Sequence, residues 1–287
     1  MRAVVTFKAF GDFLIILNVT RSLILKESND AISIIAAPHI RQLAIALKIS
    51  DNRIIYLSDG LSSDVPAIFD IKRRGLFAAF QSLRNLRRQI NFLSSDIELI
   101  FDNLGWREKL IAGDRNCFHL PTSASNIYMA YDYFFKSLGY ESILDVTPSL
   151  VNVRRVVIIP GARMSFRVFP SLLIFSIYNE LSVRGFDVEV VLLEGEAIEV
   201  PRNVKIKVIP KSFTALIDSI NNSDLVISAD SMPSHLSAFL DIPIFVFSPI
   251  PDWTKYWLPK TAYLSQAMAT FSNIEPFRVW LDKNTSS

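Results

Sequence analysis

Residues 225–235 read LVISADSMPSH, an apolar run broken only by Ser228, then Asp230-Ser231, then a proline and a histidine. The run is too short for a helix and is bounded by turn residues, so it reads as a buried strand. Ser231 or Met232 stands where a helix N-cap would be, and Pro233 suits the first helical turn because it has no N–H to leave unpaired. A strand that passes into a helix through a tight polar corner is the repeating unit of parallel α/β structure. The corner itself reads in two ways. Ser and Pro serve only to start a helix, or the free N–H groups of that turn form an anion site with His235 on the following turn.

Outward from this corner the same alternation continues. In the second half the pattern predicts strands Arg155–Ile159, Val188–Leu193, Val204–Val208, Leu225–Ser228 and Ile244–Phe247. Helices Ser171–Arg184, Phe213–Asn221 and Pro233–Leu240 fall between them. The first half repeats the scheme, with strands Arg2–Phe7, Ala31–Ala36, Arg53–Leu57 and Ile97–Phe101. Its helices are Phe13–Leu25, His39–Leu47, Gly75–Leu93 and Asn126–Leu138. Gly139–Asn152, containing Pro148, is the best linker. A length of 287 residues suits two domains of about 130–150 residues each. The expected division is 1–147 and 148–287, with the last helix able to pack back on the first domain.

Bulk properties exclude several classes. Half the residues are apolar and 20% are charged, which suggests large buried cores. The net charge of +2 is too small for a molecule that binds nucleic acid through its overall charge. Cys117 is the only cysteine and the three histidines lie far apart, so neither an internal disulfide nor a zinc site is expected. The N-terminal MRAVVTFKAFGDFLIILNVT is interrupted by Asp12 and reads as a strand and helix rather than a cleaved leader. No apolar run approaches the roughly 20 residues of a membrane helix. No Gly-x-Gly-x-x-Gly pattern of a dinucleotide site occurs.

Open parallel sheets bind ligands at the carboxyl ends of their strands, and a cleft between two such domains is the default site. The turns that follow strands therefore carry the chemistry: Lys8–Asp12, Pro160–Arg167, Glu194–Glu196, Asp230–His235 and Ser248–Trp253. Arg163 and Arg167 offer planar forks that match phosphate oxygens, or else are incidental charges of a solvated loop. Glu194 and Glu196 are able to accept hydrogen bonds from a ribose or base, or simply belong to a surface turn. Gly11 lets the chain turn tightly, and Asp12 then stands at a helix N-terminus as a cap or as a general base.

One charge feature lies apart from these turns. Residues 71–95 carry Lys72, Arg73, Arg74, Arg84, Arg87 and Arg88 with no acidic residue, beside a stripe of Leu76, Phe80, Leu83, Leu86 and Ile90. Such a segment reads as a docking surface for an anionic lipid or a phosphorylated acceptor, or as a core-packed helix with a solvated basic face.

The turns together resemble a known family. ISADSMPSHLSAFLDIPIFVFSPIPDWTKYWLP is similar to the C-terminal signature of the family 9 glycosyltransferases, the lipopolysaccharide heptosyltransferases. That signature runs Asp-Ser/Thr-Gly-x-x-His, an alanine-rich helix, a proline-led strand and a Gly-Pro-Thr loop. Asp230, Ser231 and His235 match it, while Met232 stands at the Gly and Ser248 at the Gly of the later loop. VVIIPGARMSFRVFP resembles the family's Pro-Gly loop and Lys-x-Trp-Pro, with Arg167 at the Lys and Phe169-Pro170 at Trp-Pro. LLEGE corresponds to a Gly-Gly-Pro-x-Glu stretch, and KAFGDFLI to the opening Leu-Gly-Asp segment.

The resemblance implies an α/β, GT-B architecture: two Rossmann-like domains facing a cleft, acceptor on the first and nucleotide-sugar on the second. It implies an inverting transfer of heptose or a similar sugar from an ADP-heptose-type donor to lipopolysaccharide or another surface glycan, without metal or cofactor. Asp12 would be the base. Arg163, Arg167, Glu196, Asp230, Ser231, Met232 and His235 would hold the donor. Lys72, Arg73, Arg74, Arg84, Arg87 and Arg88 would dock an anionic acceptor or the inner-membrane surface. A cytoplasmic, membrane-peripheral location follows, with no nucleic-acid partner. The rival readings are a non-catalytic GT-B binding module and a GT-B epimerase-like enzyme acting on a sugar nucleotide.

Overall fold

A computed structural model describes residues 1–24, 32–49, 51–61, 65–121, 123–140, 153–250 and 255–285. The chain divides into two compact units, Met1–Ser123 with Ala130–Ile143, and Ala124–Met129 with Leu144–Ser287. Most of the expected linker, 141–152, lies outside the described residues.

The first unit is built on five parallel strands: β1 (Arg2–Thr6), β2 (Ile32–Ala36), β3 (Ile54–Tyr56), β4 (Glu98–Phe101) and β5 (Cys117–His119). Their order is β3-β2-β1-β4-β5. All-parallel sheets are covered on both faces, so their strands are apolar throughout; β2 is buried at all five positions. α1 (Phe10–Ile24) follows β1, and α2 (Arg41–Ala46) follows β2. α3 (Ile71–Arg74) and α4 (Leu76–Phe92) are separated by Gly75, whose φ of 84° stops the first helix and starts the second. α5 (Trp106–Ala112) links β4 to β5. On one face Ala3, Val5, Phe7, Ile35, Leu99 and Phe101 pack against Ala79, Leu86 and Ile90 of α4 and Ile111 and Ala112 of α5. The helical spacing of those α4 residues puts its core on one narrow face. α6 (Ile127–Ser137) is shared: residues through Met129 belong to the second unit and those from Ala130 to the first.

The second unit has six parallel strands: β6 (Arg155–Ile159), β7 (Asp187–Leu193), β8 (Ile206–Ile209), β9 (Leu225–Ala229), β10 (Ile244–Ser248) and β11 (Met268–Thr270). The order β11-β10-β9-β6-β7-β8 is that of a Rossmann sheet. α7 (Ser171–Val183), α8 (Phe213–Asn221), α9 (Met232–Phe239), α10 (Lys260–Leu264) and α11 (Glu275–Thr285) complete it. α11 packs within this unit: Phe277 and Trp280 meet Phe245 of β10 at centroid distances of 4.8 and 5.2 Å. Arg278 and Arg184 share Glu180 of α7. Aromatic pairs of this kind each add about 0.5–1.5 kcal/mol to the burial of their area. Among the described residues no helix is long and apolar enough to cross a membrane.

Candidate functional site

In each sheet the strand order reverses at one place, and there the loops leaving two adjacent strands part and open a crevice. In the first unit the reversal lies between β1 and β4, which pair in parallel from Arg2↔Glu98 to Val5↔Phe101. In the second it lies between β6 and β9, paired from Val156↔Leu225 to Ile159↔Ser228.

At the first reversal β1 delivers Lys8 and the first turn of α1 carries Asp12. Gly11 sits inside that turn, without a left-handed φ, so it is a helix residue rather than the turn-former the sequence suggested. Asp102 directly follows β4, and α5 brings buried Glu108. Lys8 Nζ reaches Glu108 Oε1 at 3.0 Å and Asp102 Oδ1 at 3.9 Å. Glu108 needs the room that Gly105 leaves, because a Cβ there would come within 2.8 Å of its Oε2. Burial pushes the Asp12 carboxyl up from 3.8 to about 6, and the negative charge of Asp102 adds to it. Lys8 and a backbone hydrogen bond at Ala9 restrain the rise. Burial likewise raises Asp102. Lys8 itself is raised: burial opposes its charge, and the carboxylates of Asp102 and Glu108 outweigh that cost. A carboxyl that changes charge near pH 6 is matched to taking a proton at neutral pH.

At the second reversal three loops converge, those after β6, β7 and β9. Arg167 Nη1 donates to the backbone oxygen of Asp230 at 3.2 Å and lies 3.4 Å from its carboxylate. Ser231 donates to the carbonyl of Gly161 at 3.2 Å, which ties the loop after β9 to the loop after β6. Glu196 Oε2 accepts from the Leu193 N–H at 2.9 Å, and its Oε1 lies 2.6 Å from where a Cβ on Gly161 would stand. Gly161 is therefore required for the approach of a carboxylate from the neighbouring loop. Arg163 is exposed on the same loop.

α9 begins at this place. Pro233 has no N–H and Ser234 donates to the Ser231 carbonyl, which leaves the Met232 N–H as the orphan donor of the first turn. Met232 has no positive φ, so the backbone itself does not demand the glycine seen in the similar family pattern. His235 is buried, with Nδ1 3.2 Å from the hydroxyl of Tyr128 and the rings stacked at 6.4 Å. This is the hydroxyl's one hydrogen bond among the described residues. We assign the hydroxyl as the donor, the arrangement that leaves its proton paired among the described residues. His235 is then the tautomer protonated at Nε2. Burial, followed by the charge of Arg167, lowers its pKa from 6.5 to about 4, so it is neutral. Tyr128 is itself positioned by Asn126, which accepts from the Tyr128 N–H and donates to the carbonyls of Lys255 and Leu258.

The sequence-derived set thus divides between two places. Asp12 stands at the first reversal. Arg167, Asp230, Ser231, Met232, His235 and Glu196 gather at the second, with Arg163 beside them. Lys72, Arg73, Arg84, Arg87 and Arg88 are exposed on α3 and α4, and Arg74 is half-buried. The turn from Ser248 to Trp253 is described only to Ile250. Sequence reasoning missed Asp102, Glu108, Lys8 as a partner of Asp12, and Tyr128. Asp102 was within reach, because it directly follows a predicted strand. Among the described residues no three or more His, Cys, Asp or Glu side chains are arranged to hold a metal ion.

No family model matches the chain, and no curated protein matches it. Solved structures do. E. coli heptosyltransferase WaaC with ADP superimposes with a TM-score of 0.62 over 99% of this chain and 100% of its own, at 14% identity. The glycosyl transferase family 9 structure from Veillonella parvula gives 0.62 over 99% of this chain and 88% of its own, at 14% identity. E. coli ADP-heptose LPS heptosyltransferase II gives 0.57 over 99% and 97%, at 12% identity. The fold is GT-B. It is shared with heptosyltransferases at an identity that speaks for architecture alone.

Proposed function

We propose that the protein is a glycosyltransferase that moves a sugar from a nucleotide-diphosphate donor to a hydroxyl acceptor with inversion. The observation that carries this reading is the Arg167–Asp230–His235 cluster at the β6/β9 reversal, beside the start of α9. A diphosphate needs charge and directed N–H groups, and this place offers both. Arg167 presents a five-donor fork, Arg163 adds charge, and the Met232 amide and the dipole of α9 favour an anion. His235, neutral and carrying its proton on Nε2, donates a hydrogen bond without adding charge. Glu196 and the adjoining turn are suited to hydroxyls of the donor's ribose.

The step balances without a further reactant. The acceptor oxygen forms a bond to the anomeric carbon as the carbon–oxygen bond to the diphosphate breaks, and the diphosphate leaves with that electron pair. Asp12, ionised above about pH 6, takes the hydroxyl proton. Arg163 and Arg167 meet the charge that develops on the leaving group in the manner of a preorganised electrostatic site, so the reading calls for no metal ion. The likeness to heptosyltransferase structures favours an ADP-linked heptose or similar sugar as donor and a surface glycan as acceptor.

The test is calorimetric titration with ADP-, GDP- and UDP-sugars, followed by transfer assays on the parent and Asp12→Ala. Saturable binding of one donor and loss of transfer in the variant are expected. Absence of binding by all three donors would sink the reading. Unchanged turnover in Asp12→Ala would remove Asp12 as the base while leaving the donor site standing.

A further inference from the structure

The outward face of α4 is chemically unlike the rest of the first unit. Its core face is Ala79, Ser82, Leu86 and Ile90, all buried. Three apolar residues of the stripe expected from sequence, Leu86 and Ile90 and the partly buried Leu83, thus turn toward the core and are not available for docking. The outward face instead carries residues that would ordinarily be inside. Phe77 is 83% exposed, Leu76 78%, Phe92 77% and Phe80 67%. Single exposed apolar side chains are unremarkable, but Leu76, Phe77 and Phe80 stand together on the first turns of α4, with Phe92 on the same face at its far end, and such a grouping marks an interaction site. α5, which packs beside α4, adds exposed Trp106 and Leu110.

The polar residues on the same face are cations. Arg84, Arg87 and Arg88 are exposed between Phe80 and Phe92, and Arg88 lies over the Phe92 ring at 5.7 Å. Lys72 and Arg73 continue the charge on α3, and from Ile71 to Phe92 there is no acidic residue. Among the described residues, only Arg73 of these cations approaches a carboxylate, Asp70 at 4.0 Å. Cations on a merely solvated face would be interspersed with acids. Aromatic and aliphatic side chains set among unpaired arginines fit one environment in particular, the boundary of an anionic bilayer, where rings enter the acyl layer and guanidinium groups meet phosphates.

We infer that α3 and α4 form a docking surface for anionic lipid membranes, with Leu76, Phe77, Phe80 and Phe92 inserting and Lys72, Arg73, Arg84, Arg87 and Arg88 meeting lipid phosphates. The surface lies in the first unit and does not depend on the transfer reading.

Vesicle co-sedimentation of the full chain tests it, using phosphatidylcholine alone and phosphatidylcholine with about a quarter phosphatidylglycerol. Binding to the anionic vesicles is expected to be at least about tenfold tighter, and to weaken from ~0.1 to ~0.5 M salt. Phe77→Ser with Phe80→Ser, and separately Arg84→Gln with Arg88→Gln, are each expected to weaken it about tenfold or more. These positions are exposed, and far-ultraviolet circular dichroism confirms that the variants fold. Equal binding to neutral vesicles, or unchanged binding in either pair of variants, overturns the inference. Capture by soluble heparin without vesicle binding also overturns it, and assigns the face to a soluble polyanion.

Discussion

Asp12 should make the folded protein less stable at neutral pH than an uncharged isostere would. Its carboxyl is held at about 6 in the folded state against an ordinary value of 3.8, chiefly because burial disfavours its charge. A carboxyl whose folded pKa lies above its unfolded value binds its proton more tightly when folded. Folding is therefore favoured at low pH, and that advantage is lost as pH rises from 3.8 through about 6. At about 1.4 kcal/mol for each tenfold change in proton affinity, the full cost above that window is about 3 kcal/mol. Asn has the same shape and no charge to bury. Asp12→Asn is thus expected to stabilise the protein by about 3 kcal/mol at pH 7.5 and only by about 1 kcal/mol at pH 4.5, while transfer is lost.

Urea denaturation of parent and variant in parallel at the two pH values reads this out. The difference between the two proteins is the useful quantity. His235, with its pKa lowered to about 4, contributes the opposite slope, stability gained as pH rises from 4 through 6.5. A variant no more stable than the parent at pH 7.5, or one whose gain is the same at both pH values, would refute the account of Asp12 as a carboxyl whose charge the fold disfavours. A stabilising substitution that destroys activity would be the ordinary trade between stability and a poised catalytic group.

Other consequences are tested more simply. The acid limb of the pH–rate profile should have its midpoint near 6, and Lys8→Met should move it upward, because Lys8 restrains the rise of Asp12; a midpoint that stays or falls would remove that role. Tyr128→Phe deletes the partner of His235 Nδ1, and at about 1 kcal/mol for such a hydrogen bond donor affinity should weaken about fivefold. Nitrogen NMR should then show His235 no longer held as one tautomer, and a single unchanged tautomer would contradict the assignment. Gly161→Ala should push Glu196 away, since the added Cβ would stand 2.6 Å from Oε1; an unchanged Kd for the donor would free Glu196 from any part in binding. Arg167→Lys keeps the charge and loses the fork, so a tenfold or greater loss of kcat/KM is expected, and full activity would show that charge alone suffices there.

The strands and most helices were legible because both sheets are parallel and buried, which writes a short apolar run wherever a strand lies. Phe213–Asn221 and Arg155–Ile159 coincide with the observed elements, and most others differ by one or two residues at their ends. β5 and β11 were not legible. Each has three residues without the β-branched run that marks the equally short β3, and exists because a neighbouring strand offers backbone partners: Leu99↔Cys117 in one case and Val246↔Met268 in the other. At the second reversal the sequence pointed to most of the cluster, since Arg167, Asp230 and His235 all follow strands. Tyr128 was invisible for the opposite reason. It sits on a helix at core-like spacing with Tyr131 and Phe135, and only tertiary packing separates a tyrosine that orients a histidine from those that fill a core.

The two reversals have the same topology and opposite electrostatics, and this contrast is the strongest argument for dividing the roles. At β1/β4 three carboxylates surround one lysine, so an anionic ligand would meet repulsion, while a hydroxyl would meet a group ready to take its proton. At β6/β9 two arginines and an N-terminal amide face two carboxylates that are already engaged, Asp230 by Arg167 and Glu196 by the Leu193 N–H, and the histidine stays neutral. A diphosphate belongs at the second place and cannot be comfortable at the first. Equivalent crevices in two related sheets thus differ in charge in the way the proposed transfer requires, one suited to a leaving anion and the other to a hydroxyl that must lose its proton. Exchanging the charges should expose that division: Lys8→Glu should impair turnover while leaving donor binding intact, whereas Arg167→Glu should abolish donor binding while leaving the Asp12 titration where it is.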